Sequence, residues 1–418
     1  MQAFLFLLTA AAFFGLIFKQ AFFKLNNISI KLLSILFGVK IIFIFVHHYL
    51  FYKYGVNPDT YAMLRDAQSI WNFIFDDFKL ALDIFFGIYD SHQQPIEVTN
   101  LEVWNNYDTM YNDTRTLIRA NVLLFVFTQG YYLVQCLWYS FFSFAGSIAL
   151  YKTIAGVCAI NDANKSKIIF AACCAWPSFL FWTSACFKET FLVAVAGFFI
   201  FSCYQYYQSR SFTKGIIALI LLLLLFTIKI YYALLLIPVL LVFILLINAR
   251  TIKMGQLLSI FVLGFVIFCF INYFVFDVVT FMYNKRINFE NMARDSHAVS
   301  LIKAPQFEPD IFSFLIHAPQ ALFNIICMPL KFSTPVFGLL SLENIFLLAT
   351  IIFLILNFKW NKSYAMLSIC ILCFAILSLL IIGYTTPVLG AMVRYKAPFI
   401  PFVLMFFALH FSSTKKAE

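Results

Sequence analysis

Charge is what this chain has least of. Asp, Glu, Lys and Arg make up only 11% of its 418 residues, against about a quarter in soluble domains. Hydrophobic residues make up 63%, and mean hydropathy is +0.90. The shortage excludes an ordinary aqueous globule: so much apolar surface needs lipid or helix partners. Nucleotide-handling signatures are missing as well. There is no GxxxxGK followed by Ser or Thr, no GxGxxG and no HExxH, which argues against ATP-driven transport and a Rossmann nucleotide-sugar domain. Sequence repeats and low-complexity runs are absent, and no stretch reads as a soluble domain.

The net charge of +10 would point to nucleic acid in a soluble protein. Here the positive-inside rule accounts for it, and no nucleic-acid partner is expected. The ten cysteines lie mostly inside apolar runs. Cys370 and Cys373 form a CxxC, but without a His or a second CxxC to complete a zinc set, so buried free thiols are expected. Lysines follow the first apolar run (Lys19, Lys24, Lys31) instead of preceding it, which reads as a retained first helix with a cytoplasmic C-terminal end.

An all-α, polytopic fold of about eleven spans is predicted, one transmembrane domain over 1–418. The runs are 2–18, 32–52, 131–151, 168–182, 189–206, 215–229, 232–249, 255–275, 342–358, 364–383 and 398–412. With the N-terminus outside, the cytoplasmic segments collect basic residues such as Lys165, Lys167, Arg210, Lys214, Lys359 and Lys362, opposed only by Asp162 and Glu418. Two long loops, 53–119 and 276–340, then lie outside. The stretch 51–121 holds ten of the nineteen acidic residues. It also carries an amphipathic segment whose Trp71, Phe73, Ile74, Phe78, Ala81 and Phe85 share a helical face, as in a helix lying along a bilayer surface. A similar piece in the second loop is expected to be broken by Pro319 and Pro329.

Polar residues in such a chain are the candidates for chemistry. Asp59, in Asn57-Pro58-Asp59-Thr60-Tyr61, reads either as a base at the membrane lip or as a solvated turn. Arg115 and Arg119 share a helical face, suited to a phosphate or to structural pairing with Asp108 or Asp113. Lys188, at the end of the interrupted run from Trp176 to Glu189, reads as a phosphate ligand or as a helix-end anchor with Glu189. Lys229 and Arg394 fall on the external side beside tyrosines, where interfacial anchoring is equally ordinary. Lys40, inside the second run, reads as a snorkelling lysine. Trp104, Tyr107 and Trp182 could stack on a sugar, with Tyr61 beside them. A divalent cation could sit at a lone carboxylate, but no ligand set can be assembled.

The segments NDTRTLIRANVLLFVFTQGYYLVQ, PSFLFWTSACFKE and GAMVRYKAPFIPF, with the acidic first loop and many short spans, resemble the GT-C superfamily over about 32–412. They look like segments of a poorly characterised bacterial branch. The resemblance implies an integral membrane glycosyltransferase of the bacterial cytoplasmic membrane. It would move a sugar from a polyprenyl-phosphate donor to a glycan, lipid or protein acceptor on the outer face. It places Asp59 as the first-loop catalytic acid, and Lys188, Lys229 and Arg394 near the lipid phosphate; among the other loop carboxylates Asp113 is the second choice of base. The chain departs from the pattern in its extra first span and in having one acid where many members have two. An O-antigen-type polymerase or ligase, using the loop arginines, and a non-catalytic lipid-linked glycan transporter remain alternatives.

Overall fold

The computed structural model describes residues 1–53, 59–88, 96–106, 111–247, 264, 266, 268–270, 272–274, 277–295 and 300–412. Among them the chain is all helical, and paired extended backbone is limited to isolated bridges such as Leu301–Val388. Among the described residues seven helices are long and apolar enough to cross a bilayer, and three shorter apolar helices accompany them. The expected run 168–182 is not one helix. It divides into Ala163–Cys174 and Pro177–Trp182, because a proline lacks an N–H and blocks the preceding turn. The last long helical stretch begins at Leu389, not 398, so Arg394 and Lys396 lie within it. Most of the expected run 255–275 lies outside the described residues.

The chain divides into two compact units, Met1–Ala233 and Leu234–Glu418. The first contains α1 (Gln2–Lys19), α2 (Ile30–Lys53), α3 (Asp59–Asp76), α4 (Phe78–Phe86), α5 (Ile96–Thr99), α6 (Asp113–Thr128), α7 (Tyr132–Val157), α8 (Ala163–Cys174), α9 (Pro177–Trp182), α10 (Lys188–Ser209) and α11 (Phe212–Ile228). Helix α12 (Ile230–Ile247) carries the division. Helices α7 and α10 meet through small residues: a Cβ on Gly146 would stand 2.7 Å from the Ala194 Cα. Close backbone approach gains dispersion where lipid removes the hydrophobic drive between helices. Several polar groups between α6 and α7 bond to one another. Tyr139 donates to Asn121 Oδ1 at 2.8 Å, Gln135 Nε2 to the Asn121 carbonyl at 3.1 Å, and Thr128 Oγ1 to Gln135 Oε1.

The amphipathic stretch of the first loop is two helices, not one. Asp77 caps α4 by accepting from the Leu80 N–H at 3.0 Å, which ends α3 there. The buried face of α3 is Met63, Asp66, Ala67 and Ile70, set by packing against α6, while Phe73, Ile74 and Phe85 are only half buried and Phe78 is exposed. In α9 the terminal carbonyls face into the protein. Lys40 Nζ donates to the Thr183 carbonyl at 2.6 Å and to its hydroxyl at 2.7 Å. His47 Nε2 lies 2.8 Å from the Phe181 carbonyl. Lys40 is 1% exposed; it does not snorkel, because a helix C-terminus with open carbonyls is nearer than water.

The second unit continues with α13 (Val278–Asp295), α14 (Ile311–Cys327), α15 (Pro335–Leu356), α16 (Ala365–Thr385), α17 (Leu389–Lys396) and α18 (Ile400–His410). Val279, Met282, Phe307, Phe314, Ala321 and Tyr384 form its core around α13, α14 and α16. Contrary to expectation, Pro319 does not break α14; the helix runs through it and stops at Cys327, ahead of Pro329. The opened end is filled by Lys396, whose Nζ donates to the Met328 carbonyl at 2.8 Å, the Ile325 carbonyl at 3.3 Å and Asn344 Oδ1 at 2.6 Å. Lys396→Met should therefore leave buried acceptors without a donor and cost about 3 kcal/mol. A thermal midpoint of the detergent-solubilised variant equal to wild type would refute this role.

Candidate functional site

Three sequence candidates meet in the first unit. Asp113 opens α6, Lys188 opens α10, and Lys229 sits between α11 and α12. Asn112 caps α6, its side chain accepting from the Arg115 N–H at 2.9 Å, so Asp113 stands at the first helical position, where a carboxylate complements the helix dipole. Asp113 Oδ1 lies 3.0 Å from Lys188 Nζ, and Oδ2 lies 3.0 Å from Lys229 Nζ. Lys188 also donates to Thr114 Oγ1 at 2.8 Å. Burial opposes ionisation of Asp113, but the two ammonium groups outweigh it and hold the carboxyl well below its usual range. Such a carboxylate accepts protons poorly; it serves as the hub of two ion pairs.

Lys188 is held by Asp113 and Thr114. Its direction follows from the preceding segment: α9 is held at its C-terminal end by Lys40 and His47, and Ser143 adds a donor to the Thr183 carbonyl at 2.8 Å. Lys40 and His47 are seven residues apart, two turns along one face of α2. That spacing was legible in the sequence, though its partner was not. Trp182 packs near His47 and Phe187, with ring centroids 5.7 Å from each.

Trp104, Arg115 and Arg119 form a second assembly. Trp104 is fully buried, and the two guanidinium groups lie 5.2 and 5.1 Å from its ring centroid. Arg115 donates to the Trp104 carbonyl at 2.8 Å, and Arg119 to the Phe85 carbonyl at 2.6 Å. Arg119 also covers Tyr111. Asp66, unflagged by the sequence, holds the same loop from α3. Its carboxylate accepts from the N–H groups of Glu102, Val103 and Trp104 at 2.7, 2.9 and 2.9 Å. Buried Trp104 is thus a structural pivot, not a surface for stacking a sugar. Arg115 makes no ion pair with Asp113 among the described contacts; Tyr107 and Asp108 lie outside the described residues.

Asp59 is exposed in the first turn of α3 and makes no hydrogen bond or ion pair among the described residues. Tyr61, half a turn on, stacks on Tyr132 with centroids 4.2 Å apart and shares a 2.8 Å hydrogen bond with His48 Nδ1. Burial pushes its hydroxyl up to about 12, so it stays protonated. A chain of contacts carries this end of α3 toward Lys188. Tyr132 and Cys136 are one turn apart on α7, Cys136 Sγ lies 3.4 Å from Cys186 Sγ, and Cys186 precedes Lys188 by two residues.

Arg394 belongs to the second unit, where it covers Tyr395 at 5.0 Å. In that unit Arg286 is buried between Tyr283 and Phe307 and donates to the Pro305 carbonyl; no motif signalled it. Among the described residues no group of three or more His, Cys, Asp or Glu could hold a metal ion. Compared with known proteins, the chain matches no family model, no curated protein and no solved structure.

Because Asp113 serves both lysines, Asp113→Asn should destabilise more than Lys188→Met or Lys229→Met, by about 3 kcal/mol; equal midpoint shifts in all three would refute the hub. The folded-state carboxyl titrates below its unfolded value of 3.8. The stabilisation it brings is therefore complete above about pH 4 and disappears as pH falls through the lowered value. The midpoint difference between wild type and Asp113→Asn should stay flat from pH 7 to 5 and shrink only in strong acid; a difference already lost at pH 5 would contradict the pairing.

Proposed function

We propose that this chain is a membrane glycosyltransferase acting on the outer face of a bacterial cytoplasmic membrane, with a polyprenyl-phosphate-linked sugar as donor. The observation that carries the reading is the pairing of Lys188 and Lys229 on one carboxylate at helix ends, with a second carboxylate, Asp59, uncommitted at the start of α3. Two ammonium groups brought together in a partly dehydrated place are suited to meet a departing phosphate.

In the proposed reaction Asp59 takes the proton of an acceptor hydroxyl while its oxygen bonds to the anomeric carbon with inversion. The bond from that carbon to the phosphate oxygen breaks, and the lipid phosphate leaves toward Lys188 and Lys229. Asp113 orients both lysines and is not the base, since its proton affinity is too low. Tyr61, next to Asp59 along α3, and Trp182, near the end of α9, offer aromatic faces for the donor sugar. The GT-C resemblance and about eleven spans belong to the same reading. The polymerase or ligase alternative, built on loop arginines, finds less support: Arg115 and Arg119 are committed to Trp104 and to backbone carbonyls.

The test is sugar transfer in membranes supplied with a polyprenyl-phosphate-linked sugar pool. Asp59→Asn should reduce transfer by at least about a hundredfold with the protein still inserted. Lys188→Met should reduce it by about tenfold or more. Full activity in Asp59→Asn would remove Asp59 from the role of base.

A further inference from the structure

The second unit contains a groove of about 630 Å³ lined by Asn272, Tyr273, Phe274, Asp277, Asp310 and Phe312, with Pro309 and Ile311 completing it. Its chemistry is mixed in a particular way. Tyr273 and Phe312 are each 80% exposed and Phe274 is 69% exposed, so three aromatic rings present open faces. Between them stand two carboxylates. Asp277 begins α13, accepting from the Thr280 N–H at 2.9 Å and the Thr280 hydroxyl at 2.7 Å. Asp310 begins α14, with Oδ1 accepting from the Ser313 N–H at 2.8 Å. Asp310 Oδ2 has no hydrogen bond among the described residues, and neither acid pairs with a lysine or arginine there. Asn272 Oδ1 accepts from the Val279 N–H at 2.9 Å, which fixes the amide and leaves its NH₂ to donate.

Capping explains why two acids stand at two helix starts. It does not explain the ring faces: Tyr273 and Phe274 meet edge-on with centroids 4.7 Å apart and Phe274 meets Phe270 at 4.8 Å, yet all three groove rings stay largely exposed. Aromatic surfaces beside fixed hydroxyl acceptors and an amide donor match a sugar, which has one apolar face and a rim of hydroxyls. A bilayer is the rival occupant, since tyrosines gather at its interface. The two uncompensated carboxylates argue against it: hydrocarbon penalises them, whereas hydroxyls or an amino group would bond to them.

We propose that this groove binds a glycan chain without acidic groups, built of neutral or amino sugars. As a glycan-binding site it stands without the transferase reading.

The experiment uses the full-length protein in nanodiscs, with saturation-transfer NMR against maltohexaose, chitohexaose and a glucosamine hexamer. At least one should bind, and Phe312→Ser or Tyr273→Ser should each weaken it about fivefold. Asp310→Asn should weaken it similarly while keeping the helix cap, because Asn caps as well as Asp. Absence of binding by all three hexamers, or affinity unchanged in all three variants, would overturn the proposal. A bimane label on Phe312→Cys separates the rival: shielding by the hexamer supports the groove, and quenching by brominated lipid overturns it. Hexamer binding in a protein that transfers no sugar would keep the groove and remove the transferase. Transfer without any hexamer binding would do the reverse.

Discussion

Backbone carbonyls left open at a helix end inside an apolar bundle must find a donor, and both units are arranged around that need. In the first, α9 ends after six residues, and Lys40 and His47 reach from α2 to its Thr183 and Phe181 carbonyls. In the second, α14 stops at Cys327, and Lys396 reaches Ile325, Met328 and Asn344. Each case uses an ammonium group, which brings several donors and the charge that complements a helix C-terminus. A broken helix is tolerated at such depth only with these donors in place. The break in turn gives the chain a change of direction that an uninterrupted span could not provide.

That change of direction connects structure to the candidate chemistry. Lys188 follows the held α9 turn, and Lys229 follows the end of α11, so two helix junctions deliver two ammonium groups to Asp113. The carboxylate at the first position of α6 is favoured by its own helix and by both lysines, which makes it a fixed counter-charge. Neighbouring Trp104 is clamped from one side by Asp66 through three N–H groups and covered by two arginines. Asp66, Asp77 and Asp113 of the acidic loop are therefore committed to its own architecture. Asp59, exposed at the start of α3, stands apart from these networks.

Hydropathy alone made the helical membrane character legible, and with it the selection of Asp113, Lys188 and Lys229 as unusual residues. Composition works at this level because lipid solvation is a property of whole segments. The partners were a different matter. Lys40 read as a snorkelling side chain because its acceptor, Thr183, is 143 residues away. The amphipathic face around Trp71 read as one helix because nothing local reveals that Asp77 prefers to cap a new one. Pro319 read as a break, although α14 runs through it.

By itself, then, the sequence determined that the chain is helical, that it is built for a membrane, and which few charges it must accommodate. Only the tertiary structure decided which carbonyl each buried cation serves and which carboxylate is tied up. Segment hydropathy sums over neighbours in the chain, whereas an ion pair or a cap depends on a distance of about 3 Å between residues far apart in sequence. That distance exists only once the helices have packed.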